Sequence, residues 1–88
     1  MLARGADGIK LTATGTASSS KRATVWNMRL IGGSDAATAT FNDGNGGTEK
    51  WKLSAAAGAV DREVFPVGLV FNVDCYVTIT GTGPTVYV

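Results

Sequence analysis

The last fourteen residues alternate apolar and hydroxyl side chains, and this pattern constrains the fold more than any other feature. The run Cys75–Val88 alternates twice, once on each side of the turn residues Gly81–Pro84. Successive side chains of a β-strand point to opposite faces of a sheet, so the alternation predicts two half-buried strands. We expect the two strands to form a hairpin that closes the domain, with Cys75, Val77 and Ile79 in the core.

The rest of the chain repeats this pattern of short alternating segments separated by glycine-rich turns. Strands are expected at residues 9–14, 24–31, 36–42, 49–54, 60–66, 67–71, 75–80 and 85–88. Seven or eight short strands with turns about every 8–12 residues predict an all-β fold, a small antiparallel β-sandwich that is jelly-roll-like. We interpret residues 1–8 as an N-terminal arm and residues 9–88 as a single domain.

Apolar side chains that are in phase along a strand identify the expected core. Trp26, Met28 and Leu30 share one face of their strand, and Trp51 and Leu53 share one face of theirs. Because residues two apart lie on the same side of a strand, we expect both tryptophans to be buried. The alternative is that the tryptophans form a platform on which a sugar ring stacks.

Three connections are predicted from the residues that suit them. Gly32–Asp35 combines glycines that tolerate positive φ with side chains that bond to nearby backbone. Asp43–Gly47 is typical of a hairpin loop, which would make Phe41 and Trp51 cross-strand neighbours. Ala55–Ala59 is short and contains Gly58, so it is not expected to form a stable helix. We expect it to carry the chain to the opposite sheet.

The composition excludes several classes of function. With no histidine and with Cys75 as the only cysteine, the 88 residues allow no disulfide within the chain, and we expect no metal and no cofactor. Eight basic and seven acidic residues give a net charge of +1, which provides no field that attracts nucleic acid. No apolar run approaches the ~20 residues of a membrane span, so no membrane partner is expected. One thiol and the lack of a signal sequence fit synthesis in a cytoplasm.

No group of residues predicts catalysis. Without histidine, the usual general base and the serine or cysteine triads are missing. Asp61 and Glu63 are two apart and share a strand face, which we interpret as solvated surface with Arg62 on the opposite side. Asn42–Gly47 carries oxygen ligands that suit calcium, but it has no repeat to stack on and is interpreted as a turn. We therefore expect that the chain is not an enzyme. Pro66 lacks a backbone donor, so it belongs at a sheet edge or a bulge.

The small number of large apolar residues favours self-association. A domain of this length buries a limited share of its surface, and oligomerisation often completes such a core. An N-terminal arm and a last strand without a charged cap both suit strand addition onto a partner. The candidate partner contacts are Met1, Leu2, Arg4, Tyr76, Tyr87 and Val88.

Three segments together resemble small structural proteins of tailed bacteriophages, particularly those of aquatic bacteria. They are Arg29–Phe41, Trp51–Ala57 and Thr78–Tyr87, and Phe65–Val67 fits the same pattern. The likeness covers about residues 24 to 88. None of the matched segments is a catalytic or binding motif.

The resemblance implies a virion protein made in the cytoplasm of a bacterial host. It favours a head decoration (cement) subunit that oligomerises, with a homotrimer favoured, and binds the outer surface of the major capsid protein. A tail or fibre subunit is the first alternative. A small carbohydrate-binding module that uses Trp26 or Trp51 is an alternative of a different class.

Overall fold

A computed structural model describes residues 9–17 and 22–88 of the chain. The proposed arm, which includes Met1, Leu2 and Arg4, lies outside the described residues. None of the described residues is helical. The strands are β1 Lys10–Leu11, β2 Gly15–Thr16, β3 Ala23–Ile31, β4 Ala37–Asp43, β5 Glu49–Ala55, β6 Val60–Phe71, β7 Cys75–Thr80 and β8 Thr85–Tyr87.

The strands form two antiparallel sheets of four strands each. The first sheet has the order β1-β8-β3-β6, and the second has the order β2-β7-β4-β5. Every connection except the β4–β5 hairpin therefore passes from one sheet to the other. These strand orders are those of a jelly roll, in which eight strands form two facing sheets. The predicted fold class is confirmed.

The predicted C-terminal hairpin is wrong. β7 pairs with β2 and β4 in the second sheet, whereas β8 pairs with β1 and β3 in the first. Gly81 and Gly83 have φ values of 108° and 73°, and they turn the chain from one sheet to the other. Both strands bury one face in the same core from opposite sides. Their alternation is therefore the same as that of a hairpin.

The last strand also has no open edge. β8 lies between β1 and β3, and the Val88 N–H donates to the carbonyl of Ile9 over 3.0 Å. The side chain of Val88 is only 3% exposed. Strand addition at this position is therefore ruled out by the pairing that already exists, and Val88 is not a surface contact of the folded domain.

The core lies between the sheets and contains many small side chains. Cys75 and Val77 are fully buried as expected, and Ile79 packs against them while partly exposed. Burial, with a smaller contribution from the charge of Asp74, raises the pKa of the Cys75 thiol to about 12. This thiol therefore behaves as a small apolar group. The buried residues are Ala17, Val25, Met28, Leu30, Ala37, Ala39, Phe41, Leu53, Ala55, Phe71, Cys75, Val77, Val86 and Val88.

An irregularity in the pairing of β3 with β6 overturns the expectation that Trp26 is buried. The pairing of β3 with β6 shifts between Val25 and Asn27, so the alternation of inward and outward side chains moves by one residue. Val25 and Met28 are both buried as a result, and the Trp26 side chain is 51% exposed. Sequence spacing identifies a strand face only while the strand stays regular.

Trp51 follows its expected phase but lies at the edge of the sandwich. It is the cross-strand partner of Phe41, as predicted, and Leu53 beside it is buried. Because β5 is an edge strand, Trp51 remains 38% exposed. Its ring meets that of Phe65 on β6 edge to face, with centroids 5.1 Å apart. This contact joins the two sheets along one side.

Connections at one end of the sandwich pack directly against each other. Ser34 N donates to the Thr82 carbonyl, and the Asp35 carboxylate accepts from Thr82 N over 2.7 Å. A Cβ atom at Gly33 would lie 1.9 Å from the Thr82 carbonyl oxygen. Gly32 and Gly33 were expected to provide positive φ, but neither has it. They are instead the residues that leave room for the neighbouring backbone.

Candidate binding surface

The outer face of the first sheet carries a row of three cations and one tyrosine, with one residue on each of the four strands. Lys10 on β1 lies opposite Tyr87 on β8, Tyr87 lies opposite Arg29 on β3, and Arg29 lies opposite Arg62 on β6. The neighbours Met28, Leu30 and Val86 point into the core, so the row faces outward. We call Lys10, Tyr87, Arg29 and Arg62 the cationic row.

The geometry of the cationic row fixes one arginine and leaves two charges side by side. The Arg29 guanidinium carbon lies 4.6 Å from the centre of the Tyr87 ring, a cation–π contact that restricts the side chain. Arg62 is its direct cross-strand neighbour, and like charges in such positions destabilise a sheet. Among residues 9–17 and 22–88, neither arginine has a carboxylate within ion-pair distance.

Exposed apolar side chains flank the cationic row on both sides. Val60 lies opposite Ile31 on one side, and Val64 lies opposite Asn27 on the other. Val60 is 56% exposed and Val64 is 64% exposed. Trp26 lies next to Asn27, against the backbone of Gly68. The apolar residues of β6 that alternate with its acidic ones thus point to solvent, where they create an apolar margin.

An open groove of about 330 Å³ runs along this part of the sheet. Its lining includes three members of the cationic row, Arg29, Arg62 and Tyr87, together with Val64 of β6. Its lining residues are Asn27, Met28, Arg29, Arg62, Glu63, Val64 and Tyr87. Glu63 contributes from the other side of β6, where it lies opposite the buried Met28.

The pairing of β6 with β3 is interrupted just beyond this groove and resumes at Leu69. Four residues, 65 to 68, face the single residue Trp26 of β3, and Pro66 lies among them as predicted for a bulge on an edge strand. The two strands expected at 60–66 and 67–71 form one continuous strand with this irregularity. A partner strand cannot pair with β6 across the bulge, so the side chains rather than the backbone edge offer the larger contact surface.

The outer face of the second sheet has different chemistry. Thr38 pairs with Thr80, and Thr40 pairs with Thr78, which places four hydroxyl groups together. The hydroxyl groups of Thr38 and Thr80 share a hydrogen bond. Tyr76 lies on this face, opposite Asn42. The two candidate tyrosines, Tyr76 and Tyr87, therefore belong to opposite faces and do not form one site.

The acidic residues of β6 lie at the edge of the core, and one of them, Asp61, makes a structural contact. Asp61 and Glu63 lie opposite Leu30 and Met28, on the core side of the edge strand, and both are half-buried. The Asp61 carboxylate accepts a hydrogen bond from Ser54 N over 3.0 Å. Both residues share one side of β6 and stay partly exposed, and Arg62 lies on the opposite side, as expected.

The loop considered for calcium uses its polar groups to fasten the neighbouring turn. Asp43 Oδ1 accepts a hydrogen bond from Val73 N over 2.7 Å, which lowers the pKa of this carboxyl below its usual value. The side-chain amide of Asn42 donates to the carbonyl of Gly47. No cluster of three potential metal ligands occurs in the described part of the chain. The loop closes the β4–β5 hairpin as predicted.

Comparison with known proteins gives no match: no family model, no curated protein and no solved structure is similar to the chain. Within residues 9–17 and 22–88, no helix has the length and apolar character needed to cross a membrane.

The strand alternation in the sequence does not bring the members of the cationic row together. Arg29 lies between Met28 and Leu30, which share the inward face, and Arg62 lies on the side opposite Asp61 and Glu63, as expected. What assembles them is the register between strands that are far apart in the chain. A search for basic residues at outward positions of every strand would have found the row once the strand order was known.

Proposed function

We propose that this chain is a structural binding protein of a bacteriophage virion, a head decoration (cement) subunit without catalytic activity. It forms a homo-oligomer, with a trimer favoured, and binds the major capsid protein on the outer surface of the capsid. The observation that carries the proposal is the exposed outer face of the first sheet, where Trp26, Val60 and Val64 surround the cationic row. Exposed apolar side chains grouped on one face mark interaction sites.

Two further points support a role in the virion. The segments that resemble phage structural proteins coincide with strands: Arg29–Phe41 joins β3 to β4, Trp51–Ala57 includes most of β5, and Thr78–Tyr87 joins β7 to β8. Jelly rolls also recur in viral capsid domains. The second point is an analogy of fold, and one fold serves many functions.

Sedimentation experiments test the proposal. We expect the purified chain to form a trimer and to co-sediment with particles of the phage that encodes it. A well-folded monomer with no affinity for capsids contradicts the proposal.

A tail or fibre subunit is the closest alternative location. Electron microscopy of intact virions labelled on this chain separates the two. Label distributed over the head supports a decoration subunit. Label confined to the tail contradicts it and supports a tail or fibre subunit.

A carbohydrate-binding module is a second candidate because Trp26 is half-exposed beside Asn27. A flat indole of this kind stacks on sugar rings. The chain has two tryptophans, so Trp51→Phe leaves Trp26 as the only one. Titration of this variant with host polysaccharides checks the candidate: a saturable change in emission supports sugar binding, and unchanged emission counts against it.

A further inference from the structure

We propose that the cationic row is the docking site for an acidic segment of a partner protein, one whose carboxylates alternate with apolar side chains. This inference deepens the proposed function by stating the chemistry of the partner at the exposed face. It rests on that function only for the statement that the partner is a virion protein.

The charge of the outer face is the first argument. Lys10, Arg29 and Arg62 place three cations in one row, although the whole chain has a net charge of +1. No acidic residue occupies an outward position of the first sheet in the described part of the chain. The outward positions are Lys10, Thr24, Trp26, Asn27, Arg29, Ile31, Val60, Arg62, Val64, Val70, Thr85 and Tyr87. Such a row attracts carboxylates.

The arrangement of the two arginines is the second argument. Neighbouring strands lie about 4.7–4.9 Å apart, so the guanidinium groups of Arg29 and Arg62 extend from adjacent positions. Tyr87 holds Arg29 in place, which reduces the entropy lost when an anion binds. Paired guanidinium groups bind carboxylates through two parallel hydrogen bonds each. A bound carboxylate also relieves the repulsion between the two cations.

The apolar margin distinguishes a protein partner from a nucleic acid. Val60 and Val64 are more than half exposed on both sides of the row, and aliphatic side chains have no ring on which a base stacks. Of the two aromatic rings on this face, Tyr87 is already covered by Arg29, which leaves Trp26 as the one stacking position among the described residues. The valines gain stability by burial against apolar side chains. Arginine, tyrosine and tryptophan are the residues enriched at protein interface hot spots.

The same charges argue against a second copy of this chain as the occupant. A two-fold contact through this face would bring one cationic row against another, and like charges facing each other oppose association. A two-fold dimer through this face is therefore disfavoured. The contacts of a trimer join two different surfaces, and the proposal assigns them to surfaces other than this face.

A short capped peptide that alternates glutamate and valine provides the probe. We expect it to shift the amide NMR signals of Arg29, Arg62, Val64 and Tyr87 in the full-length chain. Arg29→Gln/Arg62→Gln should weaken binding by about tenfold or more, because charge-assisted hydrogen bonds are lost. Lys50→Gln/Lys52→Gln removes the same charge from the second sheet and should bind as the wild type does. Rising salt should weaken binding.

Four control ligands decide the chemistry of the site. A glutamate–serine peptide that binds as tightly as the glutamate–valine peptide overturns the role of the apolar margin. A lysine–valine peptide with equal affinity overturns the role of charge. If oligothymidylate or heparin binds more tightly than the glutamate–valine peptide, and Arg29→Gln/Arg62→Gln weakens that binding, the acidic protein is the wrong partner. The site would then bind a nucleic acid or a sulfated polysaccharide.

Phage particles separate this inference from the proposed function. If the wild type and Arg29→Gln/Arg62→Gln bind particles equally, the docking site is wrong while the virion function stands. If the peptide binds as expected but the chain binds no particle, the virion function is wrong while the docking site stands. Circular dichroism of each variant confirms that the fold is retained.

Discussion

The two outer faces of this sandwich differ in how their polar groups are satisfied. On the second sheet, Thr38 and Thr80 bond to each other, and the Thr14 hydroxyl accepts from Ile79 N over 2.9 Å. On the first sheet, Arg29 and Arg62 stand side by side, and neither forms an ion pair with a described residue, although Glu63 lines the same groove. The hydrogen bonds of the second sheet are made within the chain. The paired arginines cost stability until a partner supplies the opposite charge, which is why we assign binding to the first sheet.

The largest expected effect comes from the connections that hold the two faces together. Gly33→Ala places a Cβ against the backbone of Thr82, which must move, so we expect a loss of about 1–3 kcal/mol in unfolding free energy. For a domain of this size, each kcal/mol lowers the melting temperature by about 4–8 °C. Thermal denaturation followed by circular dichroism measures this change.

Gly15→Ala is the control for this substitution. Among the described residues, a Cβ at Gly15 would meet one atom, the Ala13 carbonyl oxygen at 4.0 Å, so the unfolding free energy of Gly15→Ala should stay close to that of the wild type. Equal stability of Gly33→Ala and Gly15→Ala would contradict the close packing of the two connections.

Charge reversal gives the next largest effect and separates the faces directly. Arg29→Glu/Arg62→Glu should reduce particle binding by more than about tenfold, because the bound carboxylates would then be repelled. Lys50→Glu/Lys52→Glu makes the same charge change on β5 and should leave binding within about twofold. Co-sedimentation at several salt concentrations measures both variants. If the lysine variant loses binding instead, the partner contacts the second sheet.

A smaller effect is expected from the hydroxyl pair of the second sheet. Thr38→Val keeps the shape and β-branching of the side chain but removes its bond to Thr80, which should cost about 0.5–1.5 kcal/mol. Urea denaturation measures the loss. In Thr38→Val/Thr80→Val no hydroxyl is left without its partner, so part of the stability should return. Unchanged particle binding in both variants would support the division of roles between the faces.

Much of the fold follows from alternation, but alternation does not determine pairing. Met28, Leu30, Phe41 and Leu53 are buried as their phase predicts, because each lies in a regular part of its strand. Trp26 is not, since a bulge shifts the phase where β3 meets the bend around Pro66. Such a bulge depends on two segments about forty residues apart, and neither segment reveals it alone.

The candidate surface was less predictable than the fold for a related reason. A strand that crosses to the opposite sheet has the same inward and outward pattern as one that returns in a hairpin, so β7 and β8 could not be assigned to separate sheets. Without that assignment, Tyr87 has no known neighbour. The register of the first sheet brings Tyr87 into contact with Arg29. The same register places Arg29 opposite Arg62.

The smallest expected effect tests whether the first sheet sacrifices stability for binding. Arg62→Gln removes one of two like charges in direct cross-strand positions, so we expect the free protein to become more stable by about 0.2–1 kcal/mol. The gain should shrink at high salt, where the repulsion is already screened. Lys52→Gln, opposite Thr40, removes a charge with no like neighbour in the pairing and should give no such gain. Urea denaturation at low and high salt measures both. If the first sheet were selected for stability alone, Arg62→Gln would lower the unfolding free energy. If it keeps two cations together for a partner, Arg62→Gln raises the unfolding free energy and weakens binding.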